Sequence, residues 1–379
     1  MTLTGFVLLY IVATIAIGVI AATRVKNTSD FALAGRSLPL PMVITATFAT
    51  WFGSETILGL PGRFIESGIA GVIEEPFGSG MALILVGTFF AHKLYKQNIL
   101  TLGDYYRDRY GRSVELLCSV AIVISYLGWV GAQVTALGLV INLITEGAVS
   151  MTTGMVIGAA VVLAYTMVGG MWSVAMTDFV QMIVIVVGLV AILWFATDLA
   201  GGMDKVVDYA RGRDLFHAFP EPTTTGWLFW ISAAMTMMIG SIPQQDVFQR
   251  VMSAKNLPTA VAGPILGGSF YILFAFVPMF IVVAAILVMP DAAEKMLSED
   301  PQQLLPTLVR DYMPMWLRVV FFGAVLSAVM STASATMLAP STIFVENVLR
   351  HFMKIDDRNM LRAMRLSVAV FAVCVLSYS

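Results

Sequence analysis

Charged residues are scarce in this sequence of 379 residues: Asp, Glu, Lys and Arg make up 12% of it, about half the roughly 25% found in soluble domains. The hydrophobic fraction is 58% and the mean hydropathy is +0.85. So few polar side chains would leave the surface of a soluble fold of this size uncovered. The composition excludes that class and predicts an all-α polytopic membrane protein in a lipid bilayer.

Cysteine, histidine and positive charge are also scarce. Two cysteines, Cys118 and Cys374, exclude a disulfide scaffold. A net charge of -2 without a basic patch excludes nucleic acid as a partner. The three histidines, His92, His217 and His351, lie in loops or at the ends of apolar segments and have no metal-binding spacing. We therefore expect neither an enzyme nor an organic cofactor.

Apolar runs long enough to cross a bilayer, about 20 residues each, follow one another along the chain. The tenth ends at Ser379 without a polar flank, so we expect a chain truncated within that span. All of 1–379 is predicted to form one transmembrane domain. The ten predicted spans are 3–23, 39–62, 69–92, 114–145, 151–169, 173–200, 226–250, 259–289, 315–349 and 363–379.

The segments between these spans differ in positive charge. If the N-terminus lies outside the cell, 15 of the 22 lysines and arginines fall in inside loops and 7 in outside segments. Cytoplasmic loops of membrane proteins carry the excess of Lys and Arg. The sequence therefore predicts a multi-pass protein of the cell membrane with its N-terminus outside.

Two of the spans are interrupted by Gly, Pro and polar residues. The second reads ATFATWFGSETILGLPG and the seventh reads MMIGSIPQQDVFQRV. Irregular backbone at membrane depth survives only where it is buried in protein or lines a cavity. Two interrupted spans five helices apart indicate an inverted-repeat transporter with a midplane site, and two kinks with a packing role are the alternative. We expect breaks near 50–54 and 240–244 that face each other.

Five carboxylates fall inside predicted spans, although a charge near the bilayer centre costs about 2.5–3.5 kcal/mol. They are Glu55, Glu74, Glu75, Asp178 and Asp246. No Lys or Arg is predicted in mid-span to pair with them. Asp178 lies deep in its span and is expected to be functional. Glu74 and Glu75 are adjacent, so only one of them faces a given direction, and a solvated carboxylate near the outer surface is the alternative for either.

Small and hydroxyl-bearing residues form a stripe on the ninth span. Its polar members are Ser327, Ser331, Thr332, Ser334 and Thr342. Close helix packing through small residues is one explanation. The other is a sodium site, because a hard cation takes oxygen ligands; Ser331, Thr332 and the Ala328 carbonyl would then supply oxygens.

Six motifs occur in order along the chain: FALAGRSL, ATFATWFGSETILGLPG, TLGDYYRDRYGR, YTMVGGMWSVAMTDFVQ, QRVMSAKN and SAVMSTAS. Together they resemble the sodium:solute symporter family, which contains the proline, sodium/glucose and choline cotransporters. The segments ATW, VGGMWSVAMTDFVQ and FQRVMSAKN look most like the choline transporter branch. The resemblance covers essentially the whole chain.

This resemblance implies a LeuT-type fold, with one extra N-terminal helix before two inverted five-helix repeats. The second repeat needs a helix beyond residue 379, so we expect the final core helices to be missing. Asp178 matches the family aspartate associated with sodium passage or a further sodium site. Carried over by motif, the other sodium ligands would be the carbonyls of Ala49, Phe52 and Ala328 and the hydroxyls of Ser331 and Thr332.

The implied substrate pocket is an aromatic cage, with which the choline branch binds a quaternary ammonium group. Trp51 and Trp129 match two of its aromatics, whereas Ser79 and Gln244 occupy the other two cage positions. Half a cage is a weak cation trap, and Gln244 adds an amide that can donate and accept hydrogen bonds. With acidic residues nearby, Glu75 among them, we expect a small amine-bearing solute such as an amino acid or a betaine-like compound.

These features together predict sodium-coupled import of a small polar organic solute by alternating access, with Na⁺ as the coupling ion. The alternative is a transporter-like sensor that forms the input domain of a longer signalling protein. The sequence carries no signal for an oligomeric state.

Overall fold

The computed structural model describes residues 3–353 and 356–378. Within those two ranges the chain is nearly all helical and contains no strand, and its isolated β-type contact is a parallel bridge between Leu38 and Ala254. There the Leu38 N–H donates to the Ser253 carbonyl at 3.0 Å, and the Lys255 N–H donates to the Leu38 carbonyl at 2.9 Å. The all-α prediction is confirmed.

The first half of the chain begins with one apolar helix and ends with a helix of 49 residues. Long apolar runs fold as helices because lipid offers the backbone no hydrogen-bond partner. The helices are α1 (Leu3–Ala22), α2 (Thr28–Leu33), α3 (Leu40–Trp51), α4 (Leu60–Gly71), α5 (Ser79–Leu85), α6 (Ala91–Gln97), α7 (Leu102–Tyr110), α8 (Arg112–Ile144) and α9 (Met151–Leu199). Three π-helical turns, Glu55–Gly59, Ile73–Gly78 and Val86–Phe90, precede α4, α5 and α6.

The second half alternates long spans with short amphipathic helices. Its helices are α10 (Met203–Gly212), α11 (Thr224–Gly240), α12 (Gln245–Ser253), α13 (Leu257–Phe274), α14 (Phe276–Val288), α15 (Pro290–Glu299), α16 (Leu304–Tyr312), α17 (Met315–Ile343), α18 (Arg350–Phe352) and α19 (Asp357–Tyr378). α13 and α14 continue one another as a single apolar segment, Leu257–Val288. A π-helical turn, Phe344–Leu349, carries α17 on to α18.

Seven helical segments in the described part of the chain are long and apolar enough to cross a membrane, and the bent pair α11 and α12 raises this to eight. The chain is therefore a multi-pass membrane protein. The count of ten spans stays a prediction. Two features would supply the remaining spans: the broken pair α3 and α4, and the length of α9, roughly 74 Å at 1.5 Å per residue against a hydrocarbon core of about 30 Å.

α9 turns back on itself at Gly170. This residue has φ 49 and ψ -136, a conformation that side chains with a Cβ avoid, and a Cβ there would lie 2.3 Å from the Phe31 carbonyl. On either side of it, the Ser173 hydroxyl donates to the Gly18 carbonyl and the Tyr165 side chain packs on Gly18. A straight helix would separate residues 165 and 173 by about 12 Å, so the two halves form a hairpin against α1.

α17 is the most enclosed helix of the bundle, because every residue from Phe321 to Ile343 is buried. Its Gly, Ala, Ser and Thr residues allow neighbouring helices to approach closely. From α9, the Tyr165 hydroxyl donates to the Met330 carbonyl at 3.1 Å. This packing sets the hydroxyl stripe of α17 against α9 on one side and α3 on another.

Candidate transport site

The second predicted span breaks inside the predicted interval 50–54. α3 ends at Trp51, and Phe52, with ψ 71, leaves the helical conformation. The helix resumes at Ser54 and enters the π-helical turn Glu55–Gly59. A break in the regular ladder frees backbone carbonyls for other partners. Both flanks of this break are buried in protein, as expected for irregular backbone at membrane depth.

The predicted sodium ligands converge on this break from α3, α9 and α17. The Thr332 hydroxyl donates to the Ala49 carbonyl at 3.2 Å, and the Ser331 hydroxyl donates to Asp178 Oδ1. Asp178 is fully buried, and its Oδ2 atom has no hydrogen-bond partner among the described residues. Hydroxyl, carbonyl and carboxylate oxygens form the donor set that a hard cation prefers. The residues present therefore fit Na⁺.

Phe52 and Ala328 complete the predicted ligand set and are both fully buried. Phe52 lies at the break itself, and Ala328 lies on α17 one helical turn before Thr332. Their carbonyls are thus on the two elements that the Thr332–Ala49 hydrogen bond joins. The binding role of this set stays a prediction.

Gly53 allows α3 and α17 to approach each other. A Cβ at this position would lie 2.8 Å from Thr332 Oγ1, 3.0 Å from Glu55 Oε2 and 3.1 Å from Gln133 Oε1. Distances this short are incompatible with any side chain unless the neighbours move. Gly53 thus lies between the predicted sodium ligand Thr332 and the hydrogen-bonded pair of Glu55 and Gln133.

The seventh predicted span breaks where the sequence predicts, near 240–244. α11 ends at Gly240 and α12 begins at Gln245, and the two helix axes differ by 46°. Residues 241–243 form a turn, and Gln244 is the extended residue that precedes α12. The two breaks share a cavity, as predicted, because Trp51 from the first and Gln244 from the second both line it.

This cavity has a volume of about 280 Å³, near the lower end of the range for small-molecule sites. Aromatic, acidic and amide side chains dominate its wall, and no Lys or Arg is among them in the described part of the chain. The wall consists of Trp51, Glu55, Glu75, Ser125, Tyr126, Trp129, Met237 and Gln244. Four residues predicted for the substrate, Trp51, Glu75, Trp129 and Gln244, are therefore brought together.

Three aromatic rings form one side of the cavity. The Trp51 and Trp129 ring centroids are 5.5 Å apart, and Tyr126 stacks on Trp129 at 6.0 Å. Asp246 holds the Tyr126 hydroxyl, which donates to its Oδ1 atom and accepts from its N–H at 3.0 Å. This aromatic wall consequently connects α3, α8 and the start of α12.

Two carboxylates lie on the cavity wall, each with neutral partners. Gln133 Nε2 donates to both oxygens of Glu55 at 2.7 Å. Glu75 Oε1 accepts from the Tyr271 hydroxyl at 2.6 Å and from the Thr56 hydroxyl at 2.9 Å. Neutral hydrogen-bond donors therefore hold both carboxyl groups in place on the wall.

The structure separates the two adjacent acidic residues of the third predicted span. The Glu74 side chain is 38% exposed and lies 3.9 Å from Arg63, whereas Glu75 lines the cavity. Glu75 has φ -140 and ψ 123, outside the helical range, so the two side chains diverge. The solvated alternative applies to Glu74.

Ser79 does not join the other predicted substrate residues. It lies at the start of α5, fully buried, and it is not among the residues that line the cavity. Its hydroxyl has no hydrogen-bond partner among the described residues. The cage position carried over to Ser79 therefore contributes no side chain to the cavity wall.

Arg250 corrects the expectation that no basic side chain accompanies the buried carboxylates. The sequence places it at the end of a span, but all nine residues of α12 are buried and Arg250 is 1% exposed. Its Nη1 donates to the Asp246 carbonyl at 3.1 Å. The span continues into the protein interior there, so α12 carries a cation beside the carboxylates.

Several residues of the site were not predicted from the sequence. Gln133 is a lone amide in the apolar run SYLGWVGAQVTALG, and that isolation was a signal. Tyr126 and Tyr271 carry no comparable signal, because tyrosine is common in spans and at their ends.

The sequence matches a known protein family. The model of the sodium:solute symporter family matches residues 31–379. The chain belongs to the sodium:solute symporter family. The predicted resemblance is confirmed, and this membership covers both broken helices and the hydroxyl stripe of α17.

Curated relatives in the family include choline and sugar transporters. The chain is 28% identical to the high affinity choline transporter 1 of Homo sapiens over 388 residues, covering 96% of this chain and 65% of the relative. It is 27% identical to the high-affinity choline transporter 1 of Caenorhabditis elegans, covering 92% and 61%. For the sodium/glucose cotransporter 4 of Danio rerio the identity is 26%, covering 90% and 57%. The chain thus spans under two thirds of the length of these relatives.

Solved structures share the fold. A Na⁺-coupled sialic acid symporter in a substrate-bound outward-open state matches with a TM-score of 0.87 at 18% identity, covering 99% of this chain and 79% of the other. A nucleobase-cation-symport-1 family transporter matches with a TM-score of 0.65 at 17% identity, covering 92% and 73%. At such identities the likeness concerns the fold, and it confirms the LeuT-type prediction.

Proposed function

We propose that this protein is a sodium-coupled secondary transporter that carries a small amine-bearing solute across the cell membrane, with Na⁺ as the coupling ion and its N-terminus outside. Family membership and the fold support coupled transport. The chemistry of the site supports an accumulating carrier in which ion and solute bind together.

The observation that carries the proposal is the dual use of residues 49–55. The Ala49 carbonyl accepts from the Thr332 hydroxyl of α17, while Trp51 and Glu55 line the solute cavity. Both sets lie on the same helix break, so an ion that fixes the backbone there also fixes the cavity wall. Shared backbone of this kind gives a physical route for reciprocal coupling between two ligands.

The cavity wall favours a solute that carries positive charge. Two carboxylates and three aromatic rings attract an ammonium group, the rings by about 0.5–2 kcal/mol each when desolvated. Gln244 Oε1 is buried on this wall without a hydrogen-bond partner among the described residues, and an unpaired buried acceptor costs about 1–3 kcal/mol. A donor on the solute, such as the N–H of a protonated amine, would satisfy it.

The proposal is tested by uptake into proteoliposomes with and without an inward Na⁺ gradient. The panel contains amino acids, methylated amines and sugars as radiolabelled solutes. We expect Na⁺-dependent uptake of an amine-bearing member and none of the sugars. Uptake that ignores the Na⁺ gradient, or that prefers a sugar, would overturn the proposal.

A matched pair of carboxylate variants tests the charge argument. We expect Glu75→Gln to weaken uptake of the amine by about 10-fold, because the cavity loses one of its two carboxyl groups while the hydrogen bonds of an amide remain possible. Glu74→Gln removes the same charge one residue away, outside the cavity, and should leave uptake within about twofold. Equal losses in both variants would contradict a direct contact with the solute.

A further inference from the structure

A groove distinct from the transport cavity lies among α6, α7 and the turn between α11 and α12. Its volume is about 500 Å³. Aromatic and aliphatic side chains form most of its wall, with two basic residues at one edge. It is lined by Phe89, Phe90, Lys93, Leu94, Gln97, Leu102, Tyr105, Tyr106, Arg109, Tyr110, Ile242 and Pro243.

The two basic residues of this groove are free to meet an anion. The acidic residues of α7, Asp104 and Asp108, lie 2.9 and 3.4 Å from Arg107. No carboxylate of the described residues lies within ion-pair distance of Lys93 or Arg109, and none lines the groove. Arg109 rests on the ring of Tyr110 at 5.8 Å. The groove thus presents two positive charges without internal neutralisation.

The order of residues along the segment Ile73–Gln97 places the groove at the edge of the bilayer. Phe89 and Phe90 are 61% and 41% exposed, although both are fully apolar. Lys93 follows one turn later, and the segment ends at Gln97. Exposed aromatic residues followed by a basic side chain at a helix end mark the boundary between acyl chains and headgroups.

We propose that this groove binds an anionic phospholipid. Lys93 and Arg109 meet its phosphate and headgroup, and Phe89, Phe90 and Ile242 contact its acyl chains. Basic pockets between membrane helices bind anionic lipids by this combination of charge and apolar surface. Ile242 and Pro243 belong to the break between α11 and α12. The bound lipid would therefore contact the break in the seventh predicted span.

The test measures binding of fluorescent phosphatidylglycerol and phosphatidylcholine to the detergent-solubilised protein. The variant Lys93→Gln/Arg109→Gln removes both groove charges. We expect phosphatidylglycerol to bind more tightly than phosphatidylcholine, and the double variant to weaken phosphatidylglycerol binding by about 30-fold, or roughly fivefold per charge. Phosphatidylcholine bound equally well by the unaltered protein would overturn the proposal.

A matched control separates this groove from general charge attraction. Lys96→Gln/Arg112→Gln removes two charges from the same end of the bundle, outside the groove, and should change binding by less than about twofold. An equal loss in both double variants would refute the site. The charge-preserving Lys93→Arg/Arg109→Lys variant should retain binding, which guards against a folding defect. Displacement of the lipid by millimolar inorganic phosphate would show a simple anion site and also overturn the proposal.

Discussion

The two helix breaks serve the same cavity but are embedded in the protein differently. At the first break, α3 and the residues that follow it are buried, and hydroxyl groups from α17 reach its backbone. At the second, α11 contains no buried residue, whereas every residue of α12 is buried. The first break is therefore a packed platform, and the second joins a surface helix to a core helix.

This difference assigns different tasks to two segments that look alike in sequence. A packed platform holds oxygen atoms at fixed distances, as an ion site requires. A junction whose first helix has no buried residue is less enclosed on that side, so it can move at lower cost. We infer that the first break sets ion geometry and that the second adjusts the cavity to the solute.

The largest expected effect comes from adding one methyl group to each break. At Gly53 the methyl group would lie 2.8 Å from Thr332 Oγ1, and overpacking costs about 1–3 kcal/mol or more. Gly53→Ala should therefore raise the Na⁺ concentration for half-maximal uptake by up to about 150-fold, the equivalent of about 3 kcal/mol. A Cβ at Gly240 meets no atom within 4 Å, so Gly240→Ala should stay within about threefold of the unaltered protein. Similar Na⁺ dependence in both variants would erase the distinction between platform and junction.

A smaller effect is expected when the platform loses one oxygen. Thr332→Ala, or equally Ser331→Ala, removes a hydroxyl from a fully buried cluster, at a cost of about 1–3 kcal/mol. The Na⁺ concentration for half-maximal uptake should rise by about 30-fold while the solute KM at saturating Na⁺ changes little. Ser341→Ala serves as the control, because it removes a buried hydroxyl of the same helix that donates to the Met337 carbonyl at 2.7 Å. Unchanged Na⁺ dependence in both Ser331→Ala and Thr332→Ala would remove this site.

The aromatic wall should affect the solute more than the ion. Trp51→Ala removes one aromatic face, so uptake of the amine should weaken by about 10-fold, from a contribution of about 0.5–2 kcal/mol. Na⁺ dependence should stay nearly unchanged, which is read from the same uptake curves. Trp194→Ala, at a residue 78% exposed on α9, should have no effect on solute KM. If Trp51→Ala lowered only the affinity for Na⁺, the indole would belong to the sodium site and not to the solute cavity.

The smallest expected effect is a change of preference at the second break. Gln244→Trp replaces the unpartnered amide with a further aromatic face, which favours quaternary amines over solutes with an N–H donor. The ratio of uptake of the two solute types should shift by about threefold, measured by competition. Because α11 contains no buried residue, the larger side chain should be accommodated. A lowered Tm of the Gln244→Trp variant would show instead that the junction is as tightly packed as the platform.

The sequence predicted the positions of both breaks and much of the site from local chemistry. Gly53 and the Gly240–Pro243 segment disfavour a regular apolar helix. Both breaks could therefore be predicted from the sequence. The sodium ligands and the pairing of Trp51 with Trp129 came from motif resemblance. The structure then brought Trp51, Glu75, Trp129 and Gln244 to one wall, although their roles stay predictions.

Ser79, Arg250 and Tyr126 show what escaped the sequence. In a helix surrounded by lipid and by other helices, apolar residues occupy every face, so periodicity does not reveal which side meets a cavity. Ser79 therefore occupies a motif position but does not line the cavity. Arg250 was expected at the end of a span, whereas α12 carries it through the protein interior. Tyr126 joined the wall because Asp246, 120 residues away, holds its hydroxyl.

The sequence by itself determined that this protein is a multi-helix membrane protein with two interrupted helices, because hydrophobic length and Gly, Pro and polar interruptions act locally. Only the tertiary structure decided that one interruption is a buried platform and the other an exposed junction. It also decided that Glu75 faces the cavity while Glu74 faces Arg63. Those outcomes depend on which distant helix packs against each side chain, and contact between residues far apart in the chain is a property of the fold.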